Sequence, residues 1–285
     1  MAKSIYDIKY QPLKNLAYLH NPKVACSTIK NSMLFGKVEN VHEQYIFPQF
    51  NNPSATLFSV VRNPYTRIVS AYLDKVGPGK DHWVWLPFCR KHNIDPESEL
   101  SFKNFLEILD SDDSKEDMDH HFRPQYLNLF HGIVTPSFIG YVEEMSKVEE
   151  FLAAHGLEML NRAPHKTKSG EKKDSLLSPE CIDLIESIYS KDFEVYGYSP
   201  DPKASFDLSP IFQEQFVSEN FFEQYKKFDV DATVSGLRSA ALILEQLNLE
   251  KARELMELAL ALRPDGSFIV EKVESYKASL SEFRR

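Results

Sequence analysis

The chain has 285 residues, of which 42% are hydrophobic and 26% are charged, a composition typical of a folded globular protein and not of a disordered one. With 33 basic against 42 acidic residues, the formal net charge is −9, so the field of the whole molecule does not favour binding to nucleic acid or to an anionic membrane. Any site for an anion must therefore be built locally.

The cysteines and the N-terminal residues indicate the compartment. Cys26, Cys89 and Cys181 are far apart and odd in number, which fits neither a disulfide framework nor a metal-binding pair. Residues 1–7 lack the apolar core of a signal peptide, and no apolar run approaches the roughly 18 residues of a membrane span. We expect a soluble, cytoplasmic protein.

Two strand–turn–helix units open the chain. Residues 15–20 and 56–62 are short apolar or β-branched runs that predict strands, and each ends at an Asn-Pro pair. Residues 27–35 and 65–76 follow as predicted helices. Repetition of this unit predicts a mostly parallel sheet flanked by helices, with ligands bound beyond the carboxyl ends of the strands.

The α/β pattern continues to about residue 200 and then changes. The patterns predict helices over residues 102–109, 143–154 and 178–193, and a strand over residues 138–142. Residues 201–285 show helical signals only. We therefore expect an α/β domain over residues 1–200 and an all-helical C-terminal extension over residues 201–285.

The extension carries one tetratricopeptide-like signal. Ala252, Met256, Ala259 and Pro264 have the spacing of the second helix of such a repeat, and residues 237–247 supply a first helix. About three stacked repeats are needed to build a core. The extension is therefore predicted to pack on the main domain, on a second copy of the chain or on a partner.

The turn after the first strand has the residues of an anion-binding loop. Small and hydroxylated side chains lead directly into a helix, where free backbone N–H groups converge at the positive end of the helix dipole. Lys23, on the strand side, can stabilise charge that develops on a bridging oxygen. The loop residues are Pro22, Lys23, Val24, Ala25, Cys26, Ser27 and Thr28.

The turn after the second strand predicts a second anion site. Arg62 ends the strand, and its planar guanidinium suits a phosphate dianion. Ser70, two helical turns later, can supply a hydroxyl to the same group. Arg67 and Lys30 are predicted to be solvated helix charges. A ligand with anionic groups at two ends would be held by both turns.

These stretches resemble the carbohydrate sulfotransferases of the HNK-1 and chondroitin 4-O-sulfotransferase type. Residues 22–30 resemble the family's 5′-phosphosulfate loop, and residues 62–72 resemble its 3′-phosphate motif. Three further stretches are similar to its H-W-x-P-Q, F-I-G-x-x-E and Y-x-x-D-F-x-x-[FY]-G-Y segments: residues 119–125, 138–143 and 189–198. The stretches occur in family order and span residues 16–198.

The resemblance implies a P-loop-like α/β sulfotransferase fold. It also implies transfer of a sulfuryl group from 3′-phosphoadenosine-5′-phosphosulfate (PAPS) to a hydroxyl group of a carbohydrate or similar small acceptor, with release of PAP and without a metal. It assigns Lys23 and the loop over residues 22–28 to the phosphosulfate, and Arg62 and Ser70 to the 3′-phosphate.

The resemblance also implies a base and a lid. His121 stands at the position of the family's histidine, and an imidazole is a suitable base for a hydroxyl group. His120 and His20 are the alternatives. Lys166 and Lys168 lie in a basic run that is a candidate lid over the nucleotide.

Two other functional classes remain open. A phosphoryl-transfer enzyme could use the same loop, but the pattern G-x-x-x-x-G-K-[ST] is absent. A helical interaction protein would use the C-terminal extension. Separately, Trp83, Trp85 and Phe88 are either a platform for sugar rings or part of the core.

Overall fold

The structure is a computed structural model that describes residues 7–36, 38, 41–42, 46–50, 52–77, 82–160, 175–204, 208–219, 221 and 229–282. Lys166 and Lys168, the predicted lid residues, lie outside these ranges. Among the helices of the described ranges, none combines the length and the apolar character needed to cross a bilayer.

A five-stranded, mostly parallel sheet forms the centre of the fold. The strands of the chain are β1 (Ile8–Gln11), β2 (Leu16–Leu19), β3 (Thr56–Val61), β4 (Val134–Thr135), β5 (Phe138–Tyr141), β6 (Ile211–Phe212) and β7 (Phe216–Val217). The central sheet has the order β1-β2-β3-β5-β6, and β4 pairs with β7 separately. Strands β2, β3 and β5 are parallel, whereas β1 and β6 run antiparallel at the two edges.

The predicted strands agree with β2, β3 and β5, and the register places their carboxyl ends together. Val61 at the end of β3 lies opposite Tyr141 at the end of β5. Strands β1 and β6 were not indicated by the sequence. Strand β6 has two residues, too few for an alternating pattern to be distinguished from a loop, whereas β1 has four residues like the predicted β2 and was missed.

Ten helices of the described residues surround the sheet. They are α1 (Cys26–Met33), α2 (Pro64–Lys75), α3 (His82–His92), α4 (Phe102–Ser111), α5 (Gln125–Asn128), α6 (Met145–Ala154), α7 (Pro179–Tyr196), α8 (Val230–Leu244), α9 (Leu249–Leu262) and α10 (Ser267–Glu282). Capping explains where several begin. The side chains of Asn63 and Ser178 accept hydrogen bonds from backbone N–H groups of the first turns of α2 and α7, and a proline follows each of them.

Among the described residues of the main domain, helix α3 is the one long element that the sequence did not indicate. Pro87 lies inside it, and an internal proline normally predicts the end of a helix. Trp85 is buried with Phe88, whereas Trp83 is 89% exposed. The three aromatic residues therefore do not form one platform, and Trp85 is part of the core.

Both faces of the sheet are covered. Leu57 and Val61 of β3 pack in a core with α2, α4 and α7, whereas Phe58 and Val60 pack on the opposite face with α1, α6 and α8 to α10. This alternation follows from the two-residue period of a strand. The fold is thus the three-layer α/β arrangement that the sequence predicted.

The C-terminal extension shares the second core with the main domain. Val234 and Leu237 of α8 belong to the same buried cluster as Phe58. At Gly236 an added Cβ would lie 2.6 Å from the carbonyl oxygen of Phe47, so the backbones approach closely there. The extension also contributes β6 and β7 before its helices, so the prediction that it is all-helical was wrong in this respect, because strands of two residues are too short to give a pattern. The division at residue 200 stays a prediction about folding units.

Candidate active site

The loop between β2 and α1 has a strained backbone that exposes N–H groups. Lys23 and Ala25 have φ values of 70° and 60°, in the left-handed region, which costs about 1–2 kcal/mol for each non-glycine residue. Ala25 precedes α1 without a side-chain hydrogen bond to the helix. The first turn of α1 therefore has no side-chain cap from Ala25, as an anion-binding helix start requires, and binding of an anion by residues 22–28 stays a prediction.

Lys23 is held by an acidic residue of α2. Its Nζ lies 3.1 Å from Oδ2 of Asp74, which also lies 3.2 Å from Nζ of Lys75. Burial lowers the pKa of Lys23, and the negative charge of Asp74 acts in the opposite direction. Asp74 thus neutralises Lys23 and competes with any anion that Lys23 is to contact.

Arg62 joins the two turns. Its Nη1 donates to the carbonyl oxygen of Lys23 at 3.2 Å, and its Nε donates to Oγ1 of Thr66 at 3.0 Å. Ser70 is 2% exposed on α2, one helical turn from both Arg67 and Asp74, which contact the loop. Arg62 therefore contacts the loop, Ser70 is buried on α2 between two residues that contact the loop, and the contact of Arg62 and Ser70 with one phosphate stays a prediction.

Arg67 and Lys30 are buried, and the prediction that they are solvated was wrong. Each is 1% exposed. Arg67 donates to three carbonyl oxygens: those of Pro22 at 3.2 Å, Arg123 at 3.0 Å and His120 at 3.1 Å. A planar guanidinium can bind several acceptors at once. Arg67 therefore connects the anion loop to residues 119–125, the histidine segment.

Lys30 is part of a hydrogen-bonded chain beside the loop. Its Nζ lies 2.8 Å from Nδ1 of His42, and Nε2 of His42 lies 2.8 Å from Oγ of Ser27. Burial and the charge of Lys30 lower the pKa of His42 to about 4, so this imidazole is neutral near neutral pH. Lys30 accordingly adds a buried positive charge next to His42, which contacts Ser27 in the first turn of α1.

His121 forms a pair with an acidic residue that the sequence reasoning did not single out. Oδ1 of Asp119 lies 2.7 Å from Nδ1 of His121 and accepts the backbone N–H of His121 at 2.9 Å. Burial by itself would raise the pKa of Asp119, but the hydrogen bond and charge of His121 outweigh it and hold that pKa well below its usual value. The carboxylate can only accept, so Nδ1 carries the proton and Nε2 of His121 keeps its lone pair.

The two alternative histidines lie beside this pair. The centroid of the His120 ring lies 4.3 Å from the centroid of the His121 ring and 5.8 Å from that of the His20 ring. Burial lowers the pKa of His121, with Asp119 opposing, whereas burial and the neighbouring His121 lower the pKa of His120 to about 3. Of the two adjacent histidines, His121 has the carboxylate that supports its protonated form.

Gln125 and Asp192 hold these parts in place. Gln125 accepts hydrogen bonds from the Asn21 side chain at 2.9 Å and from the backbone of Arg62 at 3.0 Å. Asp192 accepts the backbone N–H of Gln125 at 2.8 Å, and burial raises its pKa to about 6. Tyr189 donates to the carbonyl oxygen of Phe122 at 2.7 Å. Tyr189 and Asp192, which belong to the stretch similar to the family's last motif, therefore hold the backbone of the histidine segment in place.

The described residues contain two groups with the ligand types and spacing for a metal ion: His20 with Cys26 and His42, and Asp119 with His120 and His121. Burial is the largest cause that lowers the pKa of His20, and the positive charges of Lys30 and Lys9 lower it further. A positive field of this kind favours an anion over a cation.

One comparison with known proteins gave a match. A family model described as "Sulfotransferase family" matches residues 6–199, which include the loop after β2, Arg62, the Asp119–His121 pair and α7. Neither the curated proteins nor the solved structures gave a match. Because the family model covers more than half of the 285 residues, the chain belongs to the sulfotransferase family.

Proposed function

We propose that the chain transfers a sulfuryl group from PAPS to a hydroxyl group of a carbohydrate or similar small acceptor, with Lys23 and His121 as catalytic residues. Family membership gives the reaction class. One observation supports the finer assignment most: the uncapped start of α1, Lys23 and Arg62 meet at the carboxyl ends of β2 and β3, and the Asp119–His121 pair is tied to them through Arg67.

The residues of the site fit PAPS. The N–H groups of α1 and Lys23 suit its phosphosulfate, and Arg62 suits its 3′-phosphate. Nε2 of His20 is buried without a hydrogen bond among the described residues, and a ring nitrogen of His20 lies within 4.8 Å of Sγ of Cys26 at the start of α1. A buried polar atom of this kind needs a partner, and a bound anion at the loop would supply one.

The chain's own groups then perform three tasks. PAPS supplies the activated sulfuryl group when it is bound. His121 accepts the proton of the acceptor hydroxyl at Nε2, while Asp119 fixes the tautomer and stabilises the imidazolium that results. Lys23 leaves Asp74 and, with the N–H groups of the loop, stabilises negative charge on the departing phosphate. Arg67 fixes the position of the anion loop relative to the histidine segment.

Ligand titration tests this proposal against phosphoryl transfer. PAP should raise the melting temperature, because a ligand that binds only the folded state stabilises it, whereas ATP with magnesium should not. Transfer of labelled sulfate from PAPS to an acceptor should then be detectable. A protein that is stabilised by ATP with magnesium and not by PAP would contradict the proposal.

A matched pair of variants locates the nucleotide. Arg62→Ala should weaken PAP binding by about 1.5–3 kcal/mol, because a charge-assisted hydrogen bond to phosphate is lost. Arg90→Ala, at an exposed position of α3, should leave the affinity unchanged. Calorimetry measures both. Equal affinities for folded Arg62→Ala and the wild type would remove Arg62 from the site.

A further inference from the structure

A cavity beside Asp119 has no role in the site described so far. It lies between α3, the end of α4 and residues 117–122, it is partly open to solvent, and its volume is about 180 Å³. A cavity of about 150 Å³ in another protein holds benzene, so this size suits a single ring or a short alkyl group. Its apolar wall consists of Val84, Pro87, Phe88, Leu109, Met118 and Phe122.

The apolar wall is rigid and partly aromatic. Phe88 and Phe122 are buried, and their rings meet edge to face with centroids 5.7 Å apart. Both also pack on Phe105 of α4. A preformed wall of this kind fits the flat or aliphatic body of a ligand without a large ordering cost.

The polar rim has an excess of negative charge. The lining contains one lysine, Lys91, against three aspartates, Asp112, Asp117 and Asp119. Nζ of Lys91 lies 3.0 Å from Oδ2 of Asp112, so the cation of the lining is already paired. A carboxylate or sulfate on a ligand would meet Asp117 and Asp119, and the described residues of the lining include no further lysine or arginine to compensate.

The cavity ends at the carboxylate that holds the predicted base. Asp119 lines it, and the same carboxylate lies 2.7 Å from Nδ1 of His121. A ligand whose body fills the cavity therefore lies on the Nδ1 side of the imidazole, and its hydroxyl group has to extend past Asp119 to reach Nε2. The requirement for a positioned acceptor next to the base is the one part of the reaction that the nucleotide residues do not meet.

We propose that this cavity binds the body of the acceptor, and that the acceptor is a small phenol or alcohol with an aromatic or alkyl body and a neutral or positive charge, in contrast to an anionic polysaccharide. The inference rests on the proposed sulfuryl transfer. In that step the acceptor oxygen forms a bond to sulfur as the bond from sulfur to the phosphate oxygen breaks, and the hydroxyl proton goes to His121.

A set of phenols that differ mainly in charge tests the chemistry of the rim. Tyramine, 4-ethylphenol and 4-hydroxyphenylacetate share a substituted phenol ring and carry positive, no and negative charge. We expect kcat/KM for the first two to exceed that for the third by about 10-fold or more. Preference for 4-hydroxyphenylacetate, or transfer to chondroitin with none to the phenols, would overturn the proposal.

Two neighbouring substitutions test the location. Pro87 lines the cavity at an exposed position of α3, whereas the adjacent Leu86 is 36% exposed and does not line it. Pro87→Trp should lower kcat/KM for 4-ethylphenol by about 10-fold or more, because the indole fills the mouth of the cavity. Leu86→Trp should not. Equal effects of the two substitutions would contradict the assignment.

Charge reversal gives a second variant with its own control. Asp117→Lys should raise relative turnover of 4-hydroxyphenylacetate, whereas Asp113→Lys, at an exposed position outside the lining, should not. An unchanged charge preference in Asp117→Lys would overturn the role of the rim.

Binding without turnover separates this inference from the proposed function. Saturation-transfer NMR should detect 4-ethylphenol on the wild type and on Leu86→Trp, with loss of the signal in Pro87→Trp. A missing PAP-induced rise in melting temperature would contradict PAPS use and leave this binding result standing. Binding of 4-ethylphenol that survives Pro87→Trp would overturn the cavity assignment even if PAP binds as expected.

Discussion

Replacement of Asp119 by asparagine tests whether His121 is a base or a structural histidine. Asparagine keeps the size of the side chain and an oxygen that can accept from Nδ1 of His121, but it removes the negative charge. In the wild type, Oδ1 of Asp119 lies 2.7 Å from Nδ1 and 2.9 Å from the backbone nitrogen of His121. The substitution therefore changes electrostatics more than geometry.

The expected magnitude follows from the short Asp119–His121 hydrogen bond. A hydrogen bond to a charged group contributes about 1.5–3 kcal/mol, and Asp119 exerts it most strongly when His121 is protonated in the transition state. Asparagine keeps a neutral hydrogen bond, which contributes about 0.5–1.5 kcal/mol, so a loss of about 1–1.5 kcal/mol predicts a fall in kcat of about 5- to 13-fold, since about 1.36 kcal/mol corresponds to a factor of ten in rate.

The pH dependence of kcat should shift in a direction that follows from the pKa of His121. Burial lowers the pKa of His121, and Asp119 opposes that effect. A base acts in its neutral form, so kcat should fall as the pH drops through the pKa of His121. This pKa is lower than that of an ordinary histidine. Without the carboxylate the pKa of His121 falls further, and in Asp119→Asn the acidic limb of kcat should move to lower pH.

The assay is kcat against pH at saturating PAPS and acceptor. Asp113→Asn, at an exposed position, is the control for a nearby lost charge and should behave as the wild type. PAP affinity should stay close to that of the wild type in both variants. A folded Asp119→Asn with normal kcat and an unmoved acidic limb would refute the assignment of His121, and His120 and then His20 would be tested next.

Three further substitutions test the loop, the buried arginine and the extension. Lys23→Ala should lower kcat by about 100-fold or more while PAP still binds calorimetrically; normal turnover would exclude its role. Arg67→Met leaves three buried carbonyl oxygens without their donor and should lower the free energy of unfolding by about 3–5 kcal/mol, whereas Arg90→Ala should not. Gly236→Ala places a Cβ 2.6 Å from the Phe47 carbonyl oxygen and should destabilise the protein by about 1–3 kcal/mol in denaturant titrations; unchanged stability would mean that α8 can shift.

The sequence by itself determined the parts of the site that depend on neighbours along the chain. A strand, a turn and a helix in succession place Lys23 and Arg62 at strand ends, and both positions are read from short patterns. The Asp-x-His spacing of Asp119 and His121 was also readable, because a carboxylate two residues before a histidine can reach its Nδ1. His121 was predicted from its position in the motif, whereas Asp119 was not predicted as its partner.

Only the tertiary structure decided which charges are buried and what covers the sheet. Arg67 and Lys30 have the helical spacing of solvated residues, yet each is 1% exposed, because the histidine segment and the His42 region pack over them. The extension, with Val234 in the same core as Phe58, completes the second face of the sheet. Local periodicity reports which side of an element is apolar, whereas the choice of partner for that side depends on contacts between residues far apart in the chain.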